Sequence, residues 1–154
     1  MKSVIKLLRL LDDLEQRIPY ASRSNDKISK VDVAWHLDHS LKVIIGISKQ
    51  LIRSDISDYK PDFNLARSIL FTLGFIPRGQ GKSPKIVRPP ETILIEDITS
   101  QMDMAKELVA GLKDLPKNAH FKHPVFGILN KSKSIRFIEI HTKHHLKIID
   151  DILK

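Results

Sequence analysis

The seven histidines carry the chemistry this chain could perform, and they fall in three groups: His36 with His39, His120 with His123, and His141 with His144 and His145. His141 and His145 are four residues apart, a step that places two side chains one above the other on a helix, close enough to share an ion. Zinc proteases use the same step in H-E-x-x-H, but Thr142 stands where that motif needs its glutamate, so the protease reading falls. The chain has no cysteine. Disulfides, thiolate ligands and a cysteine nucleophile are thereby excluded, and any metal must be held by nitrogen and oxygen.

A third nitrogen from a neighbouring helix would leave positions on the ion open to water or substrate. His36 is the candidate from sequence, because it shares an inward stripe with Val33, Ser40, Val43 and Ile47. His39 lies on the side of Trp35, Lys42 and Gly46, nearer the stripe's edge. The competing reading is a set of core histidines hydrogen-bonded to backbone or to carboxylates such as Asp38 or Glu139. That reading serves for any one of them, whereas a core-facing trio in a cysteine-free chain points to a metal. His144 projects roughly 100° away from His145. With His39, His123 and Glu139, it is therefore expected to support the ligands or lie outside them; His120 and His123 could also line the mouth of the site.

The elements that position these groups are read from apolar spacing. Val4, Leu7, Leu8, Leu11 and Leu14 predict a first amphipathic helix over Ser3 to Arg17, closed by Pro19. A second helix is expected from a Ser29 cap to about Ser54, and a short one from Phe63 to Phe75 closing at Gly74. A basic segment rich in glycine and proline follows, Ile76 to Pro90. The third long helix spans about Glu91 to Leu115, with Ile95, Ile98, Met102, Ala105, Val109 and Leu112 inside. A linker holding His120 and His123 then leads to a last helix, Ser134 to Leu153, capped by Ser132 or Ser134. With no convincing alternating strand pattern, the expected fold is all-α: a single-domain four-helix bundle over residues 1–154, with a short extra helix and a basic loop between helices two and three.

Composition narrows the function classes. No apolar run approaches the ~20 residues of a membrane span. The basic, apolar start is broken by Lys6, Arg9, Asp12 and Asp13, and no small-residue cleavage site follows, unlike a signal peptide. A cytoplasmic setting fits the absence of cysteine. The formal net charge of +8 raises the question of an acidic partner. Yet the basic residues are dispersed and aromatics make up only 6% of the chain, which argues against nucleic acid. Only Arg78, Lys82, Lys85 and Arg88 gather beside glycines, where they could meet a carboxylate or phosphate; the spacing is not that of a P-loop, so a solvated surface loop is the favoured reading.

The early segment Ala34-Trp-His36-Leu-Asp-His-Ser-Leu41 and the late segment His141-Thr-Lys-His-His145-Leu-Lys-Ile together resemble the DinB/YfiT-like superfamily of metalloenzymes. Arg78-Gly-Gln-Gly-Lys-Ser-Pro-Lys85 and His123-Pro-Val-Phe-Gly127 look like a branch of it without an assigned function. The resemblance implies a four-helix bundle holding a divalent ion, zinc or nickel, through His36, His141 and His145. His36 is preferred to His39 in this comparison because the family's ligand is followed directly by an apolar residue, here Leu37. Relatives that use a low-molecular-weight thiol imply thiol transfer or hydrolysis on a small electrophilic substrate, with a homodimer as a compatible assembly. No catalytic residue is identified. The alternative is a non-catalytic basic binding module, for nucleic acid or an acidic partner, with structural histidines.

Overall fold

The computed structural model describes residues 2–79 and 85–154. Helix α1, Lys2–Glu15, buries Val4, Leu7, Leu10, Leu11 and Leu14; it ends two residues before the expected Arg17, ahead of a 3-10 turn, Ile18–Tyr20, that contains Pro19. Arg17 reaches across to Asp150 at 3.1 Å. Helix α2, Val33–Arg53, is capped by Asp32, whose carboxylate accepts the Trp35 N–H at 2.9 Å. The expected cap, Ser29, lies upstream in the loop, where its hydroxyl is 3.0 Å from His36 Nε2.

Helix α3, Leu65–Leu73, begins at an Asn64 cap and ends at Gly74 in the left-handed conformation, φ 70°, as the sequence predicts. It buries only Arg67 and Leu70 and leaves Leu65, Ile69 and Leu73 exposed, so it covers less of the bundle than a packed helix would. Helix α4, Ile95–Gly111, buries Ile98, Met102, Ala105 and Val109; Leu112 follows in a 3-10 turn, and Ile95 is exposed, unlike its place in the expected stripe. Helix α5, Lys131–Ile152, starts at an Asn130 cap rather than at a serine. Ser134 is fully buried, and its hydroxyl donates to the Leu129 carbonyl at 3.0 Å.

The four long helices close a ring in which α1 meets α4, α4 meets α2, α2 meets α5 and α5 meets α1. Leu7, Leu11, Leu14, Leu37, Leu41, Ile44, Ile98, Met102 and Ile138 are almost fully enclosed at its centre. Each such side chain contributes about 1.5–3 kcal/mol of transfer free energy. The fold is therefore a mostly helical bundle. No helix among the described residues is long and apolar enough to cross a membrane.

The expected linker is instead a β-hairpin: β1, His120–His123, pairs antiparallel with β2, Gly127–Asn130. Phe121 faces Leu129 in register and both are buried, while Lys122 points to solvent. Four residues with one inward aromatic are too short an alternation to read as a strand. Tertiary contacts hold the hairpin. The buried Arg67 guanidinium donates to Asp62 Oδ1 at 2.7 Å and to the carbonyls of Phe126 and Ile128 at 2.9 and 3.1 Å. Asp62 Oδ2 in turn accepts the Ile128 N–H at 3.0 Å. Gly127, φ 67°, lies against this carboxylate, where a Cβ would overlap it.

Candidate metal centre

Helices α2 and α5 bring the two histidine groups together. His39, His141 and His145 each offer a ligand atom, and these three atoms all lie within 4.8 Å of one another. Their ring centroids are 5.1 Å (His39 to His141), 4.9 Å (His39 to His145) and 4.6 Å (His141 to His145) apart. His39 and His145 are buried, and His141 is half-buried with its Nδ1 enclosed and without a hydrogen-bond partner.

The helix-five pair thus stands together as its spacing predicts, but the α2 member of the cluster is His39, whereas the apolar stripe and the resemblance favour His36. His36 and His39 are about 60° apart around the helix axis. A modest rotation of α2 therefore decides which one faces α5, and the apolar stripe is too wide to show it. His36 is equally buried and sits beside the cluster: its Nδ1 is 3.0 Å from His145 Nδ1, and its Nε2 is 3.0 Å from Ser29 Oγ.

The environment keeps these rings neutral. Burial drives the His141 and His145 pKa values well below the ordinary histidine range, and each is pushed further by the charge the neighbouring rings would carry. Burial, then the nearby His39, His144 and Arg78, lowers His36 to about 4. His39 is lowered by burial, against the raising effects of the Val87 carbonyl and of Asp38. A neutral imidazole has a lone pair to offer a cation, so this is the protonation state a metal requires.

The carboxylates that could have made these ordinary core histidines are engaged elsewhere. Asp38 pairs with Lys42 at 2.7 Å and accepts from Gln101 at 2.8 Å. Glu139, expected beside the ligands, accepts from Lys143 at 2.7 Å and from Arg136 at 3.1 Å; burial raises its pKa, but these two bonds prevail and leave it lowered. An unpartnered nitrogen inside a cluster of desolvated imidazoles is costly unless something binds it. Three neutral imidazole nitrogens are a donor set that a divalent metal ion can accept.

The surroundings contain parts the sequence did not announce. His39 Nδ1 donates to the Val87 carbonyl at 2.8 Å, so the segment after the glycines contributes a backbone partner through its 3-10 turn, Lys85–Val87. Trp35 stacks on His39 with ring centroids 4.9 Å apart. His144 is lowered by burial against the raising effect of a hydrogen bond with the Ile76 backbone. The ends of the Gly/Pro-rich segment are thus tied to the histidines, a pairing that no local motif encodes.

The remaining expected residues lie further out. His123 Nδ1 accepts the Val125 and Phe126 amides, and its ring packs on Phe126 and Phe137; Phe137 intervenes between it and His141. Burial brings its pKa to about 4. His120, on β1, packs against Tyr59 with ring centroids 5.6 Å apart and is not one of the three clustered histidines. Of the expected anion-binding group, Arg78 is paired with Asp151 at 2.6 Å, Lys85 is exposed, Arg88 is engaged within the fold, and Lys82 lies outside the described residues.

Lowered histidine pKa values make the metal-free protein acid-sensitive. Unfolded histidines titrate near ~6.5, above the folded values, so between the two the unfolded chain binds more protons and stability falls as pH falls. The contribution is complete above that range and is lost toward about 4, the value for His36 and His123. His36 alone should account for ~2 kcal/mol between pH 7.5 and pH 5. Urea unfolding of metal-free protein at those two pH values measures it, and equal midpoints would contradict it. The shifted carboxylates do not interfere, since they titrate at lower pH.

Comparison with known protein families, curated proteins and solved structures found no match to this chain. The site itself therefore carries the functional conclusion: the triad of buried His39 and His145 with half-buried His141, on two packed helices, could hold a metal ion.

Proposed function

We propose that this chain is a DinB-like protein that binds one divalent ion, zinc or nickel, through His39, His141 and His145, and acts in thiol transfer or hydrolysis on a small electrophilic substrate. The observation that carries this reading is the convergence of three ligand atoms from α2 and α5 within 4.8 Å. A divalent ion held by three neutral imidazoles keeps its full charge and supplies Lewis acidity, lowering the pKa of a water or a low-molecular-weight thiol. The chain's own contribution is to hold the rings neutral by burial, to set their orientation, and to leave coordination positions unused by protein. Trp35 and the Ile76 and Val87 backbone flank the histidines.

Protein purified without a histidine tag should carry close to one equivalent of zinc or nickel by elemental analysis. Trp35 is the only tryptophan and stacks on His39, so its emission should change when metal-free protein is titrated with Zn²⁺, Ni²⁺ or Co²⁺. A chain that takes up none of these ions and shows no emission change does not have this function. Because the rings stay neutral to lower pH than ordinary histidines, proton competition should set in below ~6.5. The reaction is tested by turnover of thiol and electrophile panels by the loaded protein, with the stripped protein as control.

A further inference from the structure

We propose that His36, resting on the metal reading above, is a positioning residue: with Ser29 it forms a hydrogen-bond relay that sets which nitrogen of His145 is free to bind the ion. The relay runs from Ser29 Oγ to His36 Nε2 at 3.0 Å, through the ring, and from His36 Nδ1 to His145 Nδ1 at 3.0 Å. Two neutral imidazoles meeting nitrogen to nitrogen share one hydrogen, so one Nδ1 donates and the other accepts.

The two polarities differ in what they leave on His145. If His36 Nδ1 donates, His145 Nδ1 accepts and its Nε2 carries the hydrogen. Neither nitrogen of His145 then has a lone pair to give. If His145 Nδ1 donates, its Nε2 is the free ligand atom, and His36, accepting at Nδ1, must carry its own hydrogen on Nε2 and donate to Ser29 Oγ. A serine hydroxyl can donate or accept, which lets both polarities close. Ser29 Oγ already accepts the Val31 N–H at 3.2 Å and still has a second acceptor site for His36. Neither polarity adds or removes a proton; the hydrogens are redistributed within the relay.

His39 shows the contrast. Its Nδ1 meets a carbonyl, which can only accept, so its Nε2 is free in every state. The triad thus has one nitrogen fixed by the backbone and one set through His36, and ion binding selects the second polarity. Metal-ligating histidines generally give their other N–H to such a partner, and losing it costs about 10–100-fold in metal affinity.

Zn²⁺ affinity measured by chelator competition on tag-free protein tests this. His36→Phe should keep one equivalent of zinc but weaken binding about 10–100-fold. His36→Asn, whose Oδ1 can accept from His145 Nδ1, should recover part of the loss, and Ser29→Ala should weaken binding by less than His36→Phe. His39→Ala in parallel should lose binding. If His36→Phe abolishes binding while His39→Ala only weakens it, His36 is a ligand and the relay is overturned; unchanged affinity in His36→Phe overturns it equally. Wild-type protein that binds no zinc refutes the underlying metal reading as well. Should His36→Phe fail to fold, ring ¹⁵N shifts of zinc-loaded wild type decide: Nδ1–H on His145 with Nε2 on zinc supports the relay, and the reverse tautomer refutes it.

Discussion

His141→Ala should lower Zn²⁺ affinity by more than the ~100-fold that losing an outer hydrogen-bond partner of a ligand can reach, because a donor itself is removed. The same substitution should leave the metal-free protein within ~1 kcal/mol of wild type. Removing the ring sacrifices packing, but it also removes an enclosed Nδ1 that has no partner, and the two effects oppose each other. The difference reappears when metal is present. At a free ion concentration of ~100 times the wild-type dissociation constant, wild type gains ~2.7 kcal/mol, and the variant should gain little of it. Thermal unfolding with and without Zn²⁺ measures both terms. A variant that loses stability equally with and without the ion would mark His141 as core packing.

Arg67→Ala should produce the largest loss of stability, ~3 kcal/mol, because removing one partner of a buried ion pair leaves the others uncompensated. The guanidinium holds the Asp62 carboxylate and the carbonyls of Phe126 and Ile128 at once, and its side chain is only 6% exposed. Hydrogen bonding from Arg67 is also the first reason that the Asp62 pKa is lowered. Asp62 is 34% exposed and can turn to water, which places the loss at the lower end of the range for buried pairs. The hairpin should loosen first, seen as faster amide exchange at Ile128. A shift of the urea midpoint worth less than ~1 kcal/mol would show that the clamp is dispensable. Since His123 is carried on this hairpin and Phe137 separates it from His141, metal affinity should change far less than stability.

The two effects separate two layers of the molecule. The Arg67 clamp shapes a hairpin and a short helix at the periphery, whereas the histidines lie between α2 and α5 in the bundle. The interior face of α2 could have been filled with leucine throughout. Placing His36, Asp38, His39 and Ser40 there in fully buried positions gives up apolar burial and demands partners for every nitrogen and oxygen. Asp38 finds its partners in Lys42 and Gln101, and His36 and His39 find theirs in Ser29, His145 and Val87. His141 Nδ1 finds none, which is why the cluster reads as a binding site rather than as a completed polar network.

What the sequence by itself determined is local and periodic. Apolar residues at three- and four-residue steps specify the long helices, Gly74 specifies the end of α3, and the four-residue spacing of His141 and His145 puts both on one face of α5. A helix fixes those relations internally, so no other part of the chain is needed to know them. The hairpin was not legible, because its strands are held by Arg67, Asp62 and the Phe121–Leu129 pair rather than by any marked alternation. Nor was the choice between His36 and His39. That depends on how α2 is rotated against α5, which the packing of the whole core sets. Only the tertiary structure decided that His39 faces the helix-five pair while His36 meets Ser29 and His145, because the partners of a buried imbalance of donors and acceptors come from wherever the fold brings them.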